Sequence, residues 1–438
     1  MGSFVPTTPS ERQQMLKTIG VGSVEELFRD VPQKMRIDGY LDLPSGKSEM
    51  ETLESVSALA EKNHVFRTCL RGAGSYRHYI PAAVKAIVNR EEFVTAYTPY
   101  QAEISQGILQ AIFEYQTMLC ELTGMDVSNA CVYDGGTAAA ESITMCRDRK
   151  RTKAYVSATT DPQVIEVMKT YCFGSDVELT VVPQKNGRTD PEALRSLLGQ
   201  DAACFYVQQP NFYGLLEEAE LLGEITHAAG AKYVMGVNPI SLAILKTPAE
   251  CGADVAVGEG QPLGLDTAFG GPYLGFMTAS SAMMRKLPGR IVGQTVDTEG
   301  KIGYVLTLSA REQHIRREKA SSNICSNEQL CAFTAAVYLS AMGEKGLRQA
   351  ATLCTSKAHY FAQQLEEKLG WKRVHPGEFF HEFVTECPDT EKALAALAKR
   401  DILGGLPVEG DILWCVTEVV TKERLDEAVA ILQEVSCG

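Results

Sequence analysis

The stretch from residue 154 to 278 constrains the fold most. Six short apolar runs, at 154–157, 177–182, 203–208, 233–237, 254–257 and 273–278, have the length and composition of strands. Helical patterns at 161–171, 191–198 and 216–229 separate the first four. The repeat of about 25 residues is the rhythm of βαβ crossover units, which places the strands in a mostly parallel sheet. An α/β fold follows.

The flanks read differently. "TPSERQQMLKTIG" opens with a capping signal at Thr8 and closes at Gly20. "SVEELFRDVP" repeats it with Ser23, Glu26 and Pro32. Residues 8–70 are therefore expected to form a helical arm laid over something else. Ile104, Ile108, Ile112, Tyr115, Leu119 and Leu122 mark one face of a helix over 101–124, capped by Gly124. Long helices are expected at 327–342 and 347–368. Beyond Trp371, "FFHEFVTEC", "DTEKALAALAKR" and "DILWCVTEV" alternate strand, helix, strand before a last helix from Lys422. The expected domains are an arm (1–70), a large α/β domain (71–343) and a small α+β domain (344–438).

Composition removes several classes of function. The net charge of −13 argues against a nucleic-acid binder. No apolar run reaches the roughly 18–20 residues of a membrane span. "MGSFVPTTPSERQQM" lacks the apolar core of a secretory signal. The 13 cysteines show no C-x-x-C pair and no zinc-ligand spacing, so no metal is expected. An odd cysteine count suits a reducing compartment, and a cytoplasmic location is expected.

Common catalytic signatures are absent: no G-x-x-x-x-G-K-[ST], no H-E-x-x-H, no G-x-S-x-G. Three stretches remain. In "YDGGTAAAESITM" (133–145), Gly136 and Thr137 open a helix whose free amides could hold a phosphate, unless Asp134 caps them. In "TAYTPYQAEISQG" (95–107), Tyr97, Thr98, Tyr100, Gln101 and Gln106 suit a polar pocket wall, or else a surface turn. "REQHIRREKASSNIC" (311–325) places His314, Arg316 and Arg317 in a basic run, either an anion or interface site or a solvated helix. His78 and His314 read more readily as structural hydrogen-bonders than as catalysts.

Together with "PGRIVG" (288–293), these motifs resemble the P-protein family of the glycine cleavage system, glycine dehydrogenase (decarboxylating). The similarity spans essentially the whole chain. Its length resembles that of the alpha chain, subunit 1, where the P-protein is split in two. The resemblance implies an aspartate-aminotransferase-like, fold type I pyridoxal-phosphate architecture. It also implies a reaction: glycine loses carbon dioxide on pyridoxal phosphate, and the aminomethyl group passes to the lipoyl arm of H-protein.

Such folds use a lysine after the strand matching 254–257 and an aspartate on the strand matching 233–237. Here those neighbourhoods hold Gln261 and Pro262, and Met235 and Asn238. Neither pair supplies an amine or a negative charge. The resemblance therefore implies that a beta subunit holds the pyridoxal phosphate, in an α2β2 heterotetramer. This chain, inactive alone, would complete that site with Tyr97, Thr98, Tyr100, Gln101 and Gln106. His314, Arg316, Arg317, Gly136 and Thr137 are anion or interface candidates. The alternatives are a scaffold docking H-protein, or an independent pyridoxal-phosphate enzyme using Lys319.

Overall fold

The computed structural model describes residues 6–37, 39, 41–320, 322–324 and 328–436. The chain divides into two compact units, Met1–Val65 and Phe66–Gly438.

In the first unit, α1 (Pro9–Ile19) begins with a capping box. Thr8 Oγ1 accepts from the Glu11 amide, and Glu11 accepts from the Thr8 amide. Gly20, at φ 86°, ends the helix in the left-handed region. Ser48 and Glu51 cap α2 (Glu49–Ala60) in the same way. "SVEELFRDVP" departs from expectation. It forms only a 3-10 turn, Glu25–Phe28, and the Ser23 hydroxyl bonds the Glu25 carboxylate instead of capping a helix with Glu26. Pro32 disfavours helical geometry at Val31, so no second turn can form. The arm is thus helical only in part.

The second unit is built on a seven-stranded sheet. Its strands are β1 (Val127–Ser128), β2 (Lys153–Ser157), β3 (Leu179–Val182), β4 (Ala202–Gln209), β5 (Lys232–Val237), β6 (Val255–Glu259) and β7 (Gly275–Ala279). The order across the sheet is β1-β7-β6-β5-β4-β2-β3. The pairs β3/β2, β2/β4, β4/β5 and β5/β6 are parallel, and β7 runs antiparallel to β6 and β1. The strands are apolar on both faces because both faces are covered. On β5, Tyr233, Met235 and Val237 join the core on one face, and Val234 joins the core on the other.

Helices α3 (Gln106–Thr123), α4 (Gly135–Cys146), α5 (Pro162–Ser175), α6 (Pro191–Leu197) and α7 (Ala219–Ala228) flank the sheet. Helix α3 starts later than its apolar spacing suggests. Ser105, at φ −121° and ψ 20°, separates it from a 3-10 turn, Ala102–Ile104, which leaves Ile104 exposed. Ile112, Tyr115 and Leu119 are buried as the pattern requires.

A hairpin of β8 (Ile291–Val296) and β9 (Ile302–Thr307) follows. The two long helices form one run, α8 (Gln329–Leu369), kinked where Gly343 leaves helical geometry at φ 60° and ψ 179°. Asn327, the expected first residue, lies outside the described residues. The C-terminal part has an antiparallel sheet, β10 (Glu382–Thr385), β12 (Asp411–Cys415) and β11 (Leu406–Val408) in that order, with α9 (Thr390–Ala398) and α10 (Lys422–Ser436). Phe361, Phe383, Trp414 and Leu425 anchor its core. Among the described residues, no helix is long and apolar enough to cross a membrane.

Gly214 joins the loop after β4 to β10. It has φ +81°, and a Cβ there would overlap the Glu382 carbonyl. Gly300, in the hairpin turn, has φ +80° but open space around it. Gly300→Ala should cost only the backbone strain of about 1–2 kcal/mol. Gly214→Ala should add the clash and cost about 3 kcal/mol or more. Urea unfolding of the two variants checks the ordering.

Candidate functional site

A cavity of about 390 Å³ opens where β4, β5 and β6 end. This is where open α/β sheets place ligands. The N-terminus of α4 points its amides at this region, and carboxylates of the chain itself already occupy them. The Gly135 amide donates to Glu259 Oε2 at 2.9 Å, and the Thr137 amide donates to Asp134 Oδ1 at 2.7 Å. The Ala138 amide donates to the Asp134 carbonyl at 2.9 Å. Glu259 Oε1 accepts two more amides, from Gln261 at 2.9 Å and Leu274 at 3.0 Å. One carboxylate thus ties the end of β6, the start of α4 and the approach to β7. Burial pushes Glu259 up to about 7.

The opposite wall carries Glu382. Its Oε1 accepts from the Ala73 amide at 2.7 Å and its Oε2 from the Tyr76 hydroxyl at 2.8 Å. Burial pushes it up to about 7, and Asp161 adds to the shift. Asp161 caps α5 and is raised by burial. His381, beside Glu382, is pushed well below its ordinary value by burial and is therefore neutral.

The residues singled out in the sequence fall in several places. Gln261 is fully used by the fold: it accepts from the Tyr76 amide at 2.9 Å and donates to the carbonyls of Tyr76 and Leu265, each at 2.8 Å. Pro262 lines the cavity. Met235 does not face it, because the strand alternation turns its side chain into the core. Gly236 stands there instead, and the Tyr206 hydroxyl fills the space a side chain at 236 would need. Asn238 Oδ1 accepts from the Ile240 amide at 2.9 Å, closing a turn. Gly136 lines the cavity, whereas the Thr137 amide is spent on Asp134.

Tyr97 and Thr98 line a second cavity, of about 320 Å³, with Phe93, Arg290 and Phe333. Tyr97 is 83 % exposed. The Tyr100 ring lies edge-on to His314, with centroids 6.1 Å apart. Gln101 is exposed. Gln106 is committed to structure: it accepts from the Tyr304 amide at 2.8 Å and donates to the carbonyls of Tyr304 and Ala102. In the basic run, Arg316 donates to the Ala310 carbonyl at 3.1 Å, and Arg317 is exposed at φ 53°. Lys319 is exposed and is not part of either cavity wall. Ser321 and Cys325, within the same motif, lie outside the described residues. His78 is paired with Glu418 at 2.7 Å, and the Cys354 thiol donates to the same carboxylate oxygen at 3.4 Å.

The family model for the glycine cleavage system P-protein matches residues 2–432. The chain belongs to the glycine cleavage system P-protein family.

Relatives named "Probable glycine dehydrogenase (decarboxylating) subunit 1" are end-to-end matches. The one from Desulfitobacterium hafniense is 47% identical over 99% of this chain and 100% of its own length. The one from Carboxydothermus hydrogenoformans is 48% identical over 98% and 99%. A crystal structure described as glycine decarboxylase (P-protein) of the glycine cleavage system, in inhibitor-bound form, superposes with a TM-score of 0.92. It is 41% identical, over 99% of this chain and 100% of that one. Sphingosine-1-phosphate lyase of Burkholderia pseudomallei, at TM-score 0.68 and 12% identity, shares the fold alone. The chain thus has the α/β architecture of fold type I pyridoxal-phosphate enzymes.

No lysine lines the cavity among the described residues. Two carboxylates accept the amides at the start of α4, and β5 carries no acidic residue. Sequence reading missed Glu259, Glu382, His381 and Asp161. The signal was present for two of them, since a His-Glu pair interrupts the apolar run of "FFHEFV".

Glu382 has a folded value raised above its unfolded one. The folded state therefore holds its proton longer, and stability is lost as pH rises from about 4.5 to about 7. Glu259 and Glu141, both pushed up to about 7 by burial, act with the same sign. Glu382→Gln keeps the shape without the charge. In urea unfolding, its stability advantage over the parent chain should grow between pH 5 and pH 7.5; a constant difference would contradict the assignment.

Proposed function

We propose that this chain is the cofactor-free half of glycine decarboxylase and acts with a beta subunit that holds pyridoxal phosphate. The observation that carries this reading is the filled end of α4, where Glu259 and Asp134 hold the amides a phosphate would need. It is supported by the end-to-end similarity to subunit 1 proteins, whose name implies a second subunit. In the partner, pyridoxal phosphate supplies the electron sink for the charge left when carbon dioxide leaves glycine.

The chain's own contribution is the exposed segment from Tyr97 to Gln101. Tyr97 and Thr98, beside their cavity, and Tyr100, against His314, are the groups we assign to the shared site. They would hydrogen-bond glycine or orient the incoming lipoyl arm of H-protein. Gln106 positions that segment by clamping Ala102 to Tyr304 of the hairpin. Arg316 and Arg317, exposed nearby in sequence, are assigned to contact with an anionic group of a partner. Helices α1 and α2 bury none of their residues and expose Met15, Ile19, Met50, Leu53, Val56 and Leu59. Such a face suits packing on a partner chain in an α2β2 assembly. A cytoplasmic location goes with this reading.

The purified chain should stay colourless with pyridoxal phosphate and yield no borohydride-reducible adduct. Adding the beta chain should restore exchange of carbon dioxide with glycine, with one cofactor per αβ pair. A yellow adduct on this chain alone would refute the reading. In the assembled complex, Tyr97→Phe and Tyr100→Phe should each lower turnover about tenfold or more, the range of a lost charge-stabilising hydrogen bond. Full turnover in both would leave the chain as a scaffold or an H-protein dock.

A further inference from the structure

The cavity at the strand ends is acidic. Asp134, Asp161, Glu259 and Glu382 line it, and no lysine or arginine does. The carboxylates have acceptor capacity left. Glu382 accepts two hydrogen bonds and Asp134 one, where a carboxylate can take about four. His381, 2 % exposed, stands in the same wall, and neither ring nitrogen has a partner among the described residues. Buried polar atoms of this kind are normally satisfied, and a neutral imidazole has one N–H to donate and one nitrogen to accept, so the wall offers a ligand both.

Charge alone would also admit a metal ion, but the spacing does not. Among the described residues, only His78, Cys354 and Glu418 bring ligand atoms within 4.8 Å of one another. The cavity carboxylates are too spread to chelate one ion, which needs its oxygens at about 2.0–2.6 Å. A primary ammonium asks less: two acceptors suffice, at about 2.7–2.9 Å, with the rest of the molecule left to pack on the walls. Val164, Val167 and Pro262 offer it an apolar surface.

We propose that this cavity is a binding site for a small organic amine, held as its ammonium by Glu382 and Asp161, with Asp134 and Glu259 completing the acidic lining. The proposal rests on the reading that this chain does not hold pyridoxal phosphate, since both ligands would occupy the same space. Anions and zwitterions such as glycine are disfavoured by the same carboxylates. The site gives the complex a second small-molecule contact, distinct from the Tyr97 surface.

The test is calorimetric titration of the full chain with benzylamine, and separately with benzyl alcohol, benzoate and pyridoxal phosphate. Benzylamine should bind one per chain, and the neutral and anionic analogues at least tenfold more weakly. Glu382→Gln and Asp161→Asn should each weaken benzylamine at least tenfold, with the fold checked by circular dichroism. If benzylamine and pyridoxal phosphate both fail to bind, the proposal falls and the cofactor-free reading stands. If pyridoxal phosphate binds in the cavity, the cofactor-free reading falls. Benzylamine binding that neither variant changes lies elsewhere and also overturns the proposal.

Discussion

The Glu259 carboxylate holds the centre of this molecule together. It sits at the last residue of β6 and accepts amides from α4, from the following loop and from the segment before β7. A buried carboxylate survives only where hydrogen bonds replace its water. Here backbone amides do so, and one is the first amide of a helix whose dipole favours negative charge. The helix end therefore already has a carboxyl group of the chain seated on its first amide. A phosphate would have to displace a side chain fixed by three bonds, next to a second carboxylate at Asp134.

A second knot follows from the first. Gln261, two residues beyond Glu259, grips both backbone groups of Tyr76, and the Tyr76 hydroxyl reaches Glu382. The segment around residues 73–79 is thus stitched between the loop after β6 and the C-terminal sheet. In a cofactor-holding relative of this fold, the neighbourhood of Gln261 would be given to chemistry. Here Gln261 is given to packing, beside a walled, acidic cavity.

Much of the fold was legible because periodicity reports burial directly. The runs at 203–208 and 233–237 became β4 and β5 with shifts of only a residue at their ends. Local chemistry also read well where it was self-contained, as in the Thr8 and Glu11 capping box. It failed where a nearby constraint intervened. Pro32 shortened the second helix of the arm, and Ser105 detached Ile104 from α3. The site was less legible. Gln106 looked like a pocket residue but bonds Tyr304, nearly two hundred residues away in sequence. Met235 lay on the right strand and faced the wrong side.

The sequence alone determined the alternating architecture and the family, and it put Gln261 and Pro262 after one strand and Met235 and Asn238 on and after another. These are properties of residue identity and spacing along the chain. The tertiary structure decided what gathers at the strand ends. Glu382 and His381 come from the C-terminal sheet, Asp161 from the start of α5, Asp134 from the start of α4 and Glu259 from the end of β6. No spacing rule relates such positions. Their convergence depends on the pairing of β6 with β5 and β7 and on the close approach at Gly214. That convergence turns scattered carboxylates into one negatively charged cavity.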